Sequence, residues 1–182
     1  FQVCFHFAFV IEEVVAIAYV AQRVHPDPSG VGDAVGQVLQ AVRESGEEEN
    51  TLIVFISDNG GPQQHNGSNN APLRGDKGTV LEGGIRVPFV LQWKGTIPAG
   101  SVYKQPVISL DITATAASLA GATVGAADRP IDGVNLIPFI LGKHEAAPHA
   151  SLFWRAGSQH AIGRGEYKLV QLSSGRPQLY DV

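Results

Sequence analysis

Two short clusters in this chain set charged and amide side chains among glycines. The first is Asp58-Asn59-Gly60-Gly61. Its carboxylate and amide offer two hard oxygen donors on adjacent residues, and the glycines let the backbone turn sharply behind them. Oxygen-only ligation suits Ca2+ or Mg2+ rather than zinc. Two oxygens fill only part of a shell of about six to eight, so further ligands must come from elsewhere. Taken alone, the tetrapeptide reads more readily as a turn, because turns commonly use these residues. The second cluster is Pro72-Leu73-Arg74-Gly75-Asp76-Lys77-Gly78-Thr79, followed by Glu82-Gly83-Gly84-Ile85-Arg86-Val87-Pro88. A lysine between glycines is a compact point charge that can approach an anion closely. The stretch is not a P-loop, since no Gly-x-x-x-x-Gly-Lys-Ser/Thr pattern follows a strand. On its own it reads as a solvated basic loop.

The elements around these clusters decide where they lie. Val31, Ala34, Val35, Val38, Leu39 and Val42 fall on one helix face, with Ser29 as a candidate N-cap and Gly46 as a stop. Thr51-Leu52-Ile53-Val54-Phe55-Ile56 is a continuous apolar run, the pattern of a strand buried on both faces, as in a parallel sheet. A helix followed by such a strand favours an α/β architecture. The run stops at Ser57-Asp58, and ligands of open α/β sheets bind just beyond the carboxyl ends of strands. Residues 62–84 form a glycine- and asparagine-rich loop too long to be idle connection. Residues 1–10 read as a strand, 14–20 as strand or helix, and 25–30 as a loop. Further on, 87–93 reads as a strand, while 110–119 and 134–141 read as helices. Residues 152–154, 160–162, 167–172 and 178–180 predict a small antiparallel sheet, with turns at 163–166 and 173–175. The expected division is an α/β part over 1–142 and a small C-terminal subdomain over 143–182.

Composition narrows the function classes. The net charge of −4 provides no basic field for a polyanion, which argues against nucleic acid. An anionic substrate would have to be met by locally placed cations. Cys4 is the only cysteine, which excludes an internal disulfide framework. The apolar stretch over 1–20 is broken by His6, Glu12 and Glu13, so no membrane span is expected. The chain begins with Phe1 and contains no Met, the expectation for a processed or partial product.

Taken together, the clusters resemble one family. Phe55-Ile56-Ser57-Asp58-Asn59-Gly60-Gly61, then Gly67-Ser68-Asn69-Asn70-Ala71-Pro72-Leu73-Arg74-Gly75-Asp76-Lys77-Gly78, then Glu82-Gly83-Gly84-Ile85-Arg86-Val87-Pro88, resemble the second signature region of the sulfatases. The likeness continues, in order, through Asp111-Ile112, Asp132-Gly133-Val134-Asn135-Leu136-Ile137-Pro138, Arg164-Gly165-Glu166-Tyr167-Lys168-Leu169 and Leu179-Tyr180-Asp181. It covers residues 30–182 and is nearest the arylsulfatase and N-acetylgalactosamine-6-sulfatase branch of the alkaline-phosphatase superfamily. The resemblance implies an alkaline-phosphatase-like, mostly parallel sheet flanked by helices, with a small C-terminal antiparallel sheet.

The resemblance also implies roles. Asp58 and Asn59 match a pair that binds the active-site Ca2+ (with Mg2+ as an alternative), and Lys77 matches a lysine contacting sulfate oxygens. Glu82, Gly83, Gly84 and Arg86 match a largely architectural motif that holds the lysine loop. His65, Asn69 and Arg74 are candidate substrate contacts, or simply residues of a solvated loop. The implied activity is hydrolysis of a sulfate ester, of a sugar or aryl alcohol, through a formylglycine nucleophile. The implied partner is a sulfated small molecule or glycan, and the implied location is periplasmic, secreted or lysosomal. A phosphodiesterase or phosphonate monoester hydrolase shares the metal logic, and a non-catalytic fragment is the remaining alternative.

Some family features have no match. Cys/Ser-x-Pro-Ser/Ala-x-Arg, which carries the nucleophile, is absent, as are the paired aspartates that complete the metal shell. The expectation is a C-terminal half that is inactive alone. The family histidine that assists the leaving group would fall near Ile11, so His25, before Pro26, is the nearest candidate against a solvated loop histidine. Asn66-Gly67-Ser68 fits a glycosylation sequon. Trp154 and Tyr167 are expected in the core of the small sheet.

Overall fold

The computed structural model describes residues 6–11, 14–21, 29–122 and 130–182. In chain order its elements are β1 (His6–Ile11), β2 (Val14–Ala21), α1 (Ser29–Glu44), a 3-10 turn (Glu48–Asn50), β3 (Thr51–Ser57), α2 (Gln63–Asn66) and α3 (Glu82–Ile85). There follow β4 (Phe89–Gln92), α4 (Leu110–Leu119), α5 (Ile137–Ile140), β5 (Leu152–Ala156), β6 (Gln159–Arg164), β7 (Tyr167–Gln171) and β8 (Gln178–Asp181). Contacts divide the chain into two compact units, Phe1–Ile56 with Phe89–Pro148, and Ser57–Pro88 with His149–Val182. The glycine-rich loop thus groups with the C-terminal strands. His25 lies outside the described residues.

In the first unit the sheet order is β1-β2-β3-β4. Leu52, Val54 and Ile56 of β3 are buried, while Ile53 and Phe55 are half-buried. The apolar run therefore reports cover on both faces, which is what its composition encodes. It does not encode direction: β4 runs antiparallel to β3, with Ile53 opposite Gln92 and Ile56 opposite Phe89. β1 and β2 also pair antiparallel. Helix α1 ends at a glycine in the left-handed region, Gly46 at φ 77°, whose N–H donates to the Arg43 carbonyl.

Helix α4 spans the predicted residues, and its start is built around a fully buried carboxylate. Asp111 accepts the Ile108 N–H at 2.8 Å and the Val134 N–H at 2.9 Å. Thr115 accepts the Leu136 N–H at 3.0 Å. These bonds hold Val134 and Leu136 against α4 through their backbone N–H groups, and α5 is a single turn, Ile137–Ile140, rather than the helix predicted over 134–141.

The second unit carries the sheet β5-β6-β7-β8, antiparallel throughout. Its core is Val80, Ala161 and Val170, with Leu81, Trp154, Ala156, Leu172 and Tyr180 packed around them. Val80 and Leu81 come from the glycine-rich loop, so the loop is anchored by its own apolar residues. On β7 the alternation is unusual: Lys168 and Val170 face inward, each 2% exposed, while Tyr167 and Leu169 face outward at 57% and 42%. Trp154 is packed against the core as expected, whereas Tyr167 is exposed. A lysine occupies the inward position beside Val170, and a period of two then sends Tyr167 to the other face.

Candidate active site

The site is built from three loop pieces of the second unit. The first is the segment after β3. Asp58 is exposed and Asn59 half-buried. Asn59 Nδ2 donates to Asp58 Oδ1 at 3.1 Å and to the Gly60 carbonyl at 3.3 Å, and Ser57 Oγ donates to the Asn59 carbonyl at 2.9 Å. The Asn59 amide nitrogen is thus committed to protein oxygens, one of them on the Asp58 carboxylate, which leaves its amide oxygen outside these bonds. By donor type the carboxylate and the amide oxygen fit a hard divalent cation, and they could supply two positions of a larger shell. Among the described residues no group of three or more His, Cys, Asp or Glu could hold a metal ion.

The second piece is the lysine turn. Asp76 and Thr79 close it: the Thr79 N–H donates to the Asp76 carbonyl at 3.0 Å, and Thr79 Oγ1 donates to the same oxygen at 2.8 Å. Gly75 and Gly78 flank it at φ 95° and 86°, backbone that a side chain would strain. Lys77 stands exposed at its tip.

The third piece, α3, touches both others through glycine. The Gly60 N–H donates to the Gly84 carbonyl at 2.9 Å, and a Cβ on Gly60 would lie 1.7 Å from the Gly83 carbonyl oxygen. On the other side, the Gly83 N–H donates to the Arg74 carbonyl at 2.8 Å. A Cβ on Gly83 would meet the Gly75 oxygen at 2.2 Å, and one on Gly84 would meet the Thr79 oxygen at 2.3 Å. Backbone is therefore packed on backbone through all three pieces, which ties the Asp58-Asn59 segment and the Lys77 turn to the same short helix.

Two residues that sequence reasoning did not single out complete the arrangement. Asn70 accepts the Gly61 N–H at 3.0 Å and donates to the Gly61 carbonyl at 2.8 Å and the Gly75 carbonyl at 3.1 Å, a direct link from strand end to lysine turn. Its neighbour Asn69 accepts the local Ala71 N–H at 2.9 Å, and nothing in an Asn-Asn pair tells the two apart in advance. Lys168 places Nζ 2.6 Å from Glu82 Oε1 and 4.7 Å from the centre of the Trp154 ring. Glu82 also faces the exposed Arg86, Oε2 to Nη1 at 3.7 Å. The remaining candidates are peripheral to this packing. His65 is exposed in α2, and Arg74 is exposed with Nη1 3.4 Å from the Tyr180 hydroxyl.

A sequence profile of the sulfatase family matches residues 29–122, which include Asp58, Asn59, Lys77 and all of α3. The chain is 41% identical over 128 residues to a steryl-sulfatase of Rattus norvegicus, covering 66% of this chain and 22% of that protein. It is 36% identical over 143 residues to an N-acetylgalactosamine-6-sulfatase of Canis lupus familiaris, covering 76% of this chain and 27% of that protein. Among solved structures, Ps i-CgsB in complex with k-i-k-neocarrahexaose superposes with a TM-score of 0.72 at 35% identity, covering 81% of this chain and 33% of that one. The chain spans 22% and 27% of the length of these two curated relatives.

Proposed function

Because the chain belongs to the sulfatase family and shares its alkaline-phosphatase-type α/β fold, we propose that it supplies the metal-holding strand end and the sulfate-contacting lysine of a sulfate ester hydrolase. The observation that carries this reading is the packing of Gly60 on Gly83-Gly84 and of Gly83-Gly84 on the Lys77 turn. It joins a hard-oxygen pair to a compact cation, the two kinds of group that a sulfate ester needs.

Family membership brings with it a metal and a formylglycine in general terms. In this reading Asp58 and Asn59 would hold Ca2+, which when bound supplies Lewis-acid stabilisation to the sulfate oxygens. The nucleophile is not assigned to this chain, since its 182 residues contain no Cys/Ser-x-Pro-Ser/Ala-x-Arg. The chain's own part is electrostatic. Lys77 would meet a sulfate oxygen and, where its ammonium also reaches the bridging oxygen, would stabilise the negative charge that builds there as the S–O bond breaks. A cation already in place needs no reorganisation during bond cleavage, so its attraction acts fully on the transition state. Gly75 and Gly78 let the turn come close, and Asn70 and α3 fix how far it stands from the Asp58-Asn59 pair. Local placement of Lys77 and Arg74 meets the need for cations in a chain of net charge −4.

The substrate class in this reading is a sulfated sugar, with aryl sulfates as surrogates. The relatives named for N-acetylgalactosamine 6-sulfate and the neighbour bound to neocarrahexaose motivate the sugar. Exposed His65, Asn69 and Arg74 along the same loop would offer donors to it. The whole gene product should release sulfate from 4-nitrophenyl sulfate and from N-acetylgalactosamine 6-sulfate, lose that activity on chelation and regain it with Ca2+. Release from neither, by protein carrying formylglycine and loaded with Ca2+, would contradict the proposal.

A further inference from the structure

Lys168 stands out among the charged groups of the chain. Among the described residues it is the largest side chain that is fully buried, 2% exposed, in a core position of β7 next to Val170. An ammonium withdrawn from water is costly unless it is paired and bonded. Here the compensation is specific: Glu82 Oε1 at 2.6 Å and the face of Trp154 at 4.7 Å. Glu82 lies 86 residues earlier in the chain and is the first residue of α3. The pair therefore joins the interior of the small sheet to α3, which touches both the strand-end segment and the lysine turn.

We propose that Lys168 is a positioning residue for the Lys77 turn, acting through Glu82. This rests on the reading of Lys77 as the sulfate contact. With Glu82 held, the Glu82 carbonyl accepts the Arg86 N–H at 2.7 Å and closes the single turn of α3. That turn presents Gly83 to Arg74 and Gly84 to Gly60 by the bonds already described. A helix of four residues has too few internal bonds to keep this shape by itself. Arg86 cannot substitute for Lys168, because it is exposed and stands 3.7 Å from the opposite carboxylate oxygen, a screened and loose pair. Val80 anchors the far side of the turn in the core, so without Lys168 the turn stays attached while α3 loses its reference point.

The test uses the whole gene product and two variants, Lys168→Met, which keeps length and apolar packing but removes the charge, and Glu82→Gln, which keeps an oxygen for Nζ. Amide hydrogen exchange is followed residue by residue. In Lys168→Met the amides of Gly60, Thr79, Gly83 and Gly84 should exchange about tenfold faster or more, while the ladder amides of β6 and β7 keep their protection. Glu82→Gln should show the same pattern more weakly, and the double variant should be no worse than Lys168→Met alone. With 4-nitrophenyl sulfate, kcat/KM of Lys168→Met should fall by roughly ten- to hundredfold, the scale of a displacement near 1 Å. Unchanged exchange at the four amides would overturn the proposal, and so would equal loss in the loop and the β6–β7 ladder, or additive effects of the two substitutions. If Lys168→Met does not fold, Glu82→Gln decides by the same four amides. The exchange result stands even if the wild-type protein hydrolyses no sulfate ester, so failure of the activity reading is told apart from failure of this one.

Discussion

Gly60→Ala offers a sharp perturbation because one methyl group is set against a rigid surface. Gly60 is not among the glycines at positive φ, so the objection to alanine is space and not backbone conformation. The added Cβ would lie 1.7 Å from the Gly83 carbonyl oxygen, 2.7 Å from its carbon and 3.0 Å from the Gly84 Cα. A carbon sits no nearer than about 3.3 Å to a carbonyl oxygen, so the strand-end segment and α3 must part by roughly 1.5 Å. All three opposing atoms are backbone, and no rotamer change can relieve them. Overpacking of this kind costs about 1–3 kcal/mol. Loss of the Gly60 N–H to Gly84 bond adds about 1 kcal/mol. A separation beyond 1 Å between the Asp58-Asn59 pair and Lys77 should lower kcat/KM by roughly a hundredfold or more. Turnover of 4-nitrophenyl sulfate and thermal unfolding of the whole gene product measure both effects. Gly36→Ala is the matched control: it lies in α1, its Cβ would meet nothing within 4 Å, and it should stabilise by roughly 0.5–1 kcal/mol with turnover unchanged. Wild-type stability and turnover in Gly60→Ala would refute the packing argument.

Three further outcomes follow from the same structure. Asp58→Ala should reduce bound Ca2+ measured by elemental analysis and abolish turnover, because a hard-cation shell tolerates the loss of a carboxylate poorly; full occupancy at normal rate would contradict the ligand assignment. Asn70→Ala, which removes bonds to Gly61 and Gly75, should destabilise by about 1–3 kcal/mol in denaturant unfolding, while Asn69→Ala stays within about 0.5 kcal/mol; equal effects would mean the strand end and the turn are not linked through Asn70. Glu48 is held below the usual carboxylate range by its hydrogen bond from Lys94 at 2.8 Å and next by Arg43, so its contribution is complete above that range and is lost as pH falls through the lowered value. The gap in melting temperature between wild type and Glu48→Gln should therefore close as pH falls below that value, and a gap independent of pH would contradict the pairing.

The parts of the fold legible in the sequence are those set by near neighbours. The spacing of Val31 to Val42 marks α1, the Thr51–Ser57 stretch with its abrupt polar end marks β3, and helix α4 covers the predicted residues. The four C-terminal strands follow from short apolar alternations and glycine turns at Gly165 and Gly175. Features set across long stretches of chain were not legible. A lysine in an alternating strand is read as outward, and only Glu82, from a loop 86 residues away, makes the inward position of Lys168 tolerable. The same contact displaces Tyr167 and Leu169 to the exposed face. For the candidate site, Asp58, Asn59 and Lys77 were singled out by resemblance to sulfatase motifs, because alone their two clusters read as a turn and a solvated loop. The reason Gly83 and Gly84 lack side chains was not legible, since it lies in the close approach of Gly60, Gly75 and Thr79.

The central claim is that Lys77 meets the sulfate. The most direct measurement compares kcat/KM for 4-nitrophenyl sulfate in Lys77→Ala, Lys77→Arg and Lys94→Ala of the whole gene product. Lys77→Ala should lose roughly two to four orders of magnitude, the scale of one preorganised charge contact. Arginine should rescue poorly, because a planar fork does not replace a compact ammonium. Lys94 belongs to the first unit and is occupied with Glu48 at 2.8 Å, so its removal should leave turnover unchanged. Equal behaviour of Lys77→Ala and Lys94→Ala would contradict the account.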